Sequence, residues 1–201
     1  MILSQRDLRD EVAAGRVVFD PPLEEKQWGE ASVDLRLGFS FTKIKNAPGV
    51  RVSVAEGLGT IGGTGLWITQ VLKERDEFGK RNTFSLGPNE FVLALTYETI
   101  RVPNHLIAMV QGRSTYARVG ISMHQTAPWV QPGWSGPIVL EIVNIGPLHI
   151  DLTPAVDRPC QLTFFRLTSE LPPEAAYGSR ASDVYQDQKH PLLPTSKPRE
   201  K

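Results

Sequence analysis

Between Ser32 and Thr42 the chain alternates strictly. Val33, Leu35, Leu37, Phe39 and Phe41 take one parity, and Asp34, Arg36, Gly38, Ser40 and Thr42 the other. A period of two sends successive side chains to opposite faces, so this segment is predicted to be one strand with a dry face. Strands are also predicted at Leu66–Leu72, Thr83–Leu86, Phe91–Tyr97, Leu106–Gln111, Gly120–His124, Ile138–Val143, Leu148–Leu152 and Gln161–Leu167. Turn residues punctuate them at Gly87-Pro88-Asn89, Pro103-Asn104, Pro132-Gly133, Gly146-Pro147 and Pro154. Ahead of them, Ser4 and Asp7 read as a helix start, Leu8 and Val12 share a face, and Gly15 is a stop. That predicts a short packing helix over Ser4–Ala14. The stretch from Asn46 to Gly65, rich in glycine and small residues, reads as loops around short strands. Many short strands separated by Gly and Pro predict a mostly-β sandwich or distorted barrel.

The 201 residues suit a single domain, and an apolar fraction of 40% supplies a sizeable core. Residues 170–201 shift to Pro, Ser, Gln and charge and read as a loosely ordered tail able to fold over a ligand. Lys plus Arg is 22 and Asp plus Glu is 22, so no basic surface favours long nucleic acids. No apolar run approaches a membrane span. One cysteine, Cys160, and no signal-like apolar segment point to a reduced, cytoplasmic compartment.

Candidate chemistry concentrates in Gly112–Gly146. Glu141 sits among Ile138, Val139, Leu140, Ile142 and Val143. Val139 and Val143 would flank it on its own face, with Ile138, Leu140 and Ile142 on the other. A carboxylate so placed loses hydration, which favours its protonated form and suits a group that takes and returns a proton. The same pattern also fits a glutamate at a sheet edge or a subunit contact. Arg113, Ser114, Thr115 and Arg118 follow Gly112 and offer many donors to an anion. They read either as a phosphate cradle or as a polar helix start with surface arginines. The Gly-x4-Gly-Lys order of a P-loop is absent. Pro159-Cys160 lacks the second cysteine of a zinc deaminase, His124-Gln125-Thr126 lacks its glutamate, and His105, His124, His149 and His190 are not at metal-binding spacing. No zinc site is expected.

Taken together, Gly112-Arg113-Ser114-Thr115-Tyr116-Ala117-Arg118-Val119-Gly120, Thr126-Ala127, Pro132-Gly133-Trp134-Ser135-Gly136 and Leu140-Glu141 resemble dCTP deaminases of the dUTPase-like superfamily. Ser32–Leu37, Glu90–Leu93, Tyr177 and Tyr185-Gln186-Asp187-Gln188 extend the resemblance over nearly the whole chain. It implies a distorted β-barrel forming a homotrimer with sites at subunit interfaces. It implies hydrolysis of dCTP to dUTP and ammonia, supplying dUTP for thymidylate synthesis, with dUTP and dTTP as further possible ligands. Mg2+ would ride on the substrate triphosphate. Carried over, Glu141 activates the water, and Ser114 and Arg118 from a neighbouring subunit position water and glutamate. The carbonyl of Ala127 holds that water. Arg113, Ser114 and Thr115 contact phosphates, and Val139, Leu140 and Glu141 line the pocket. Gln161, Tyr177 and Gln188 complete the lid.

Two positions depart from the resemblance. The family carries an aspartate where Gln131 stands, a sugar contact that in dUTPase relatives is the base for attack at the α-phosphate. Glutamine accepts no proton at neutral pH, which disfavours a diphosphatase. A lysine of the tail is replaced by Val184, removing one phosphate contact. Trp129 reads either as an aromatic neighbour of base or sugar or as core packing. A phosphate-cleaving enzyme and a nucleotide-binding trimer without catalysis are the rival readings.

Overall fold

Ser4 caps the first helix as its hydroxyl predicts. It accepts the Asp7 amide at 3.3 Å while Asp7 accepts the Ser4 amide at 3.2 Å, closing a capping box. The computed structural model describes residues 1–51, 65–180, 183 and 185–191. Its elements are α1 (Gln5–Ala13), β1 (Val18–Asp20), β2 (Val33–Leu35), β3 (Leu37–Ile44), β4 (Trp67–Val71), β5 (Phe84–Leu86), β6 (Phe91–Arg101), β7 (Leu106–Gly112), α2 (Ser114–Ala117), β8 (Ile121–Ser122), β9 (Trp129–Val130), β10 (Ser135–Asn144), β11 (Ile150–Leu152) and β12 (Cys160–Arg166). The loops expected from Asn46 to Gly65 lie largely outside the described residues, as does Val184.

The fold is mostly β. A six-stranded sheet runs β4-β3-β6-β10-β8 with β1 also on β6, a four-stranded sheet runs β2-β12-β7-β9, and β11 pairs with β5. All recorded pairings are antiparallel. No ladder closes a barrel among the described residues. One contiguous core joins the inner faces of the two larger sheets: Leu35, Leu162 and Phe164 from one, Phe41, Leu140 and Ile142 from the other.

The expected single strand at Ser32–Thr42 is two strands in different sheets. β2 pairs with β12 and β3 with β6, and the switch falls at Arg36. Arg36 donates its amide to Glu98 at 2.8 Å and its Nε to the same carboxylate at 2.7 Å. Glu98 is 0% exposed and also accepts Gln27 Nε2 at 2.9 Å, so its buried charge is paired and hydrogen-bonded. Two residues on, Gly38 lets β3 press on β6: a Cβ there would meet the Leu95 carbonyl at 2.8 Å. A register shift follows between Leu37 and Phe41. Past it Ser40 and Thr42 are buried along with Phe41, while Phe39 is half-buried, edge-on to Tyr97 at 5.9 Å.

The described part of the tail is tied to the body through its backbone. Tyr177 donates its amide to Pro132 at 2.8 Å, and Asp187 donates its amide to Ser135 at 3.0 Å. These bonds lay the described part of 170–191 along the start of β10.

Helix α1 docks through an acid. Glu11, nearly fully buried, accepts Arg16 Nε at 2.6 Å and Arg166 Nη2 at 2.9 Å, and lies 3.0 Å from His105 Nε2. Burial raises its carboxyl, but the bonds to Arg16, His105 and Arg166 outweigh that and bring it down to about 2. A depressed acid stabilises the fold above its unfolded value, and the benefit disappears as pH falls through the folded one. Glu11 therefore contributes on the order of 3 kcal/mol at neutral pH, lost between about pH 4.5 and pH 2. Glu11→Gln is expected to lower thermal stability at pH 7 and to flatten its acid dependence across that window, as followed by circular dichroism.

Candidate functional site

The site is built on the alternation of β10. Ile138, Leu140 and Ile142 are 6%, 0% and 0% exposed, while Val139, Glu141 and Val143 are half-buried on the opposite face. Glu141 stands across from Leu93 of β6 and opens onto a cavity of about 400 Å³. The same alternation corrects one expectation: the side chain of Leu140 points into the core and does not line the cavity.

Glu141 is held by the loop between β8 and β9. The Gln125 amide donates to Glu141 Oε2 at 3.0 Å, and Gln125 Nε2 donates to the Glu141 carbonyl at 3.2 Å. Among the described residues Oε1 accepts no hydrogen bond. The carboxylate is thus fixed through one oxygen, with the other free to hold a water. Glu141 is the one acid among the described residues that line the cavity, and no Lys or Arg lines it.

Ala127, Trp129, Gln131, Val139, Tyr177 and Gln188 meet at this cavity with Glu141. Trp129 is 49% exposed and stands at 5.7 Å from Phe165, which makes it a rim residue and not core packing. Tyr177 closes one side. Its ring lies 5.3 Å from Trp134, and its hydroxyl accepts the Tyr185 amide at 3.3 Å. Burial raises its phenol above the ordinary value, so it is a neutral donor here.

Arg113, Ser114, Thr115, Arg118 and Gln161 are not among the residues lining their own chain's cavity. Ser114, Thr115 and Arg118 are exposed on and beside α2. Arg113 turns back onto the body, its Nε 3.2 Å from Asp34 and its Nη1 donating to the Arg158 carbonyl at 3.0 Å. Gln161 sits on the outer face of the four-stranded sheet, between Gln111 and Asp34, and accepts the Ser32 hydroxyl at 3.3 Å.

His124, Trp134 and Tyr185 also line the cavity. His124 Nε2 lies 3.4 Å from Gln111 Oε1, and its Nδ1 is buried with no partner among the described residues. The alternation of Gly120–His124 could have placed His124, since Ile121 and Met123 are buried and Ser122 and His124 are not. The Gln125 amide carries no side-chain signal at all. No cluster of three or more His, Cys, Asp or Glu suited to a metal ion occurs among the described residues, and none of their helices is long and apolar enough to cross a membrane.

Fold and cavity together define a mostly-β protein whose cavity presents, among the described residues, a single carboxylate. The chain belongs to the dCTP deaminase-like family, whose profile matches residues 2–167. It is 40% identical over 192 residues to the protein of Dictyoglomus thermophilum named "dCTP deaminase, dUMP-forming", covering 95% of this chain and 92% of that one. It is 38% identical over 184 residues to the protein of the same name from Methanosphaera stadtmanae, covering 90% and 86%. It is 38% identical over 192 residues to the "dCTP deaminase" of Rhodospirillum rubrum, covering 96% and 95%. Among solved structures, the 2'-deoxycytidine 5'-triphosphate deaminase of Agrobacterium tumefaciens shares the fold. Its TM-score is 0.57 at 22% identity, over 81% of this chain and 47% of that one.

The cavity wall depends on Gly133, at φ 87° in the turn before β10. A Cβ there would meet the Tyr177 carbonyl at 2.7 Å and Ala176 at 2.9 Å. Gly133→Ala is expected to cost roughly 1–2 kcal/mol of backbone strain alone. It should also push Tyr177 off the cavity. The expected readout is a lower melting temperature together with weaker nucleotide binding.

Proposed function

We propose that the protein is a hydrolytic deaminase that converts dCTP and water to dUTP and ammonia. Glu141 supports this reading most: a lone carboxylate on a cavity of nucleoside size, fixed through one oxygen. The Glu141 carboxylate takes a proton from water, and the hydroxide adds to C4 of cytosine. The same proton goes to N3, and Glu141 then relays the second proton of the water to the amine, which leaves as ammonia. The chain's own residues carry each proton transfer. The triphosphate enters as its Mg2+ complex, so magnesium is part of the substrate.

No cation among the described residues lines the cavity, so three phosphates need donors from elsewhere. Ser114, Thr115 and Arg118 face outward from their own chain. A homotrimer in which each chain offers this loop to its neighbour's cavity supplies them. Trp129 and Ile2 are 49% and 53% exposed, apolar surface suited to a contact between copies. In that assembly Ser114 and Arg118 steady Glu141 and its water, Arg113 and Thr115 reach phosphates, and Gln161 and Gln188 complete the enclosure. The six- and four-stranded sheets are then two walls of a distorted barrel. The reaction is assigned to the cytoplasm, where dUTP is a precursor for thymidylate synthesis.

The relatives named dUMP-forming favour a second reading, in which dUTP is cleaved further to dUMP and pyrophosphate. That step needs a base beside the α-phosphate. Gln131 lines the cavity at the position where the resemblance expects an aspartate, and its amide cannot serve. Release of dUTP is therefore the preferred outcome.

Incubation with dCTP and magnesium is expected to release ammonia and dUTP, without pyrophosphate, by chromatography. Pyrophosphate in step with ammonia would establish the second reading. Glu141→Gln is expected to lose about 10³-fold or more in kcat, because its amide cannot accept the proton. Binding of dCTP should change less than tenfold.

A further inference from the structure

The loop from Gly112 to Gly120 has an unusual division of labour. Ser114, Thr115, Ala117, Arg118 and Val119 are exposed, while Arg113 and Tyr116 are half-buried against the body. Backbone bonds hold the loop at its ends, Arg113 N to Pro159 O at 3.0 Å and Ile145 N to Gly120 O at 2.8 Å. Between them the described side-chain bonds come from those two residues alone.

Arg113 is oriented by a carboxylate. Asp34 of β2 takes Arg113 Nε on Oδ1 at 3.2 Å and Arg158 Nη1 on Oδ2 at 3.2 Å. Arg158 is itself tied to the Lys26 carbonyl, and its own carbonyl accepts Arg113 Nη1 at 3.0 Å. Two edges of the Arg113 guanidinium are thereby used, and among the described residues Nη2 is not. Tyr116 anchors α2: its hydroxyl donates to Asp157 Oδ1 at 2.8 Å and accepts the Arg158 amide at 3.2 Å. Asp157 is fixed in turn by the Thr153 amide at 2.6 Å.

We propose that Asp34 and Tyr116 are positioning residues for the deaminase reaction. Asp34 turns Arg113 so that its remaining nitrogen, Nη2, faces a phosphate. Tyr116 sets the orientation of α2, and with it the direction in which Ser114 and Arg118 point. Neither residue touches substrate. The inference rests on the deaminase reading, because it assigns a purpose to the direction in which the loop displays its donors.

The test uses full-length Asp34→Asn, Asp34→Glu and Tyr116→Phe beside wild type. Asp34→Asn keeps the shape and removes the charge that orients Arg113. It is expected to raise KM for dCTP by about tenfold, the scale of one charge-assisted hydrogen bond, with a smaller change in kcat. Asp34→Glu should recover part of that loss. Tyr116→Phe is expected to lower kcat by about 10- to 100-fold, the cost of displacing catalytic groups by roughly 1 Å, with little change in KM. Glu11→Gln is the control for stability alone, since its partners Arg16, His105 and Arg166 belong neither to the cavity nor to the loop. It should lower the melting temperature and leave KM and kcat where they were. Direct titration with inorganic triphosphate should show about tenfold weaker binding to Asp34→Asn than to wild type.

An unchanged or lower KM in Asp34→Asn would overturn the inference, the lower value marking Asp34 as a competitor of the phosphates. Equal changes in kcat and KM across all the variants, Glu11→Gln included, would show a merely structural role and also overturn it. A wild type that does not deaminate dCTP overturns the functional reading instead. In that case the triphosphate titration decides the role of Asp34, and equal binding by the two proteins rejects it.

Discussion

The alternation of β10 is the constraint on which the site depends. Leu140 and Ile142 are locked into the core at 0% exposure, and a strand cannot bury them without turning Glu141 to the other face. A slip of one residue would bury the carboxylate and expose two large aliphatic side chains, at a cost of several burials of about 1.5–3 kcal/mol each. Packing on one face therefore specifies chemistry on the other. The second determinant is the Gln125 amide, which restrains the carboxylate that the strand has aimed. The proposed proton transfers need a glutamate held in this way, at both backbone and side chain, so that it does not first have to reorganise.

Paired charges around the sheets do the remaining positioning. Glu98 gathers Arg36 and Gln27 where the chain crosses between sheets, Glu11 pins α1, and Asp34 holds Arg113 and Arg158 at the root of the exposed loop. Burial raises the Asp34 carboxyl and the two arginines oppose the rise, with burial prevailing. Each of these acids joins segments distant in sequence, so each reports on tertiary structure and not on local preference. The tail contributes in the same way through backbone bonds at Pro132 and Ser135.

Much of this was legible in the chain beforehand. Period two located most of the strands, and the apolar flanks of Glu141 singled out the carboxylate that lines the cavity. Trp129, Gln131, Tyr177 and Gln188, drawn from family resemblance, do reach the cavity. The break at Arg36 was hidden because apolar alternation continues through it, although the two halves enter different sheets. Leu140 was assigned to the pocket by motif position against its own parity. Glu11 reads as a surface acid on a helix, since its partners Arg16, His105 and Arg166 converge only in space. Backbone donors such as Gln125 N–H leave no mark on composition or spacing.

The central claim is that a carboxylate from one chain works with the loop of another. Mixing two inactive variants tests it directly. Glu141→Gln and Arg118→Ala, each without turnover alone, are dissociated, combined and allowed to reassociate, and ammonia release from dCTP is measured. Shared sites predict that activity returns on mixing, because some interfaces then pair an intact Glu141 with an intact Arg118. A mixture that exchanges subunits yet stays inactive would place both groups in one chain's site and contradict the account.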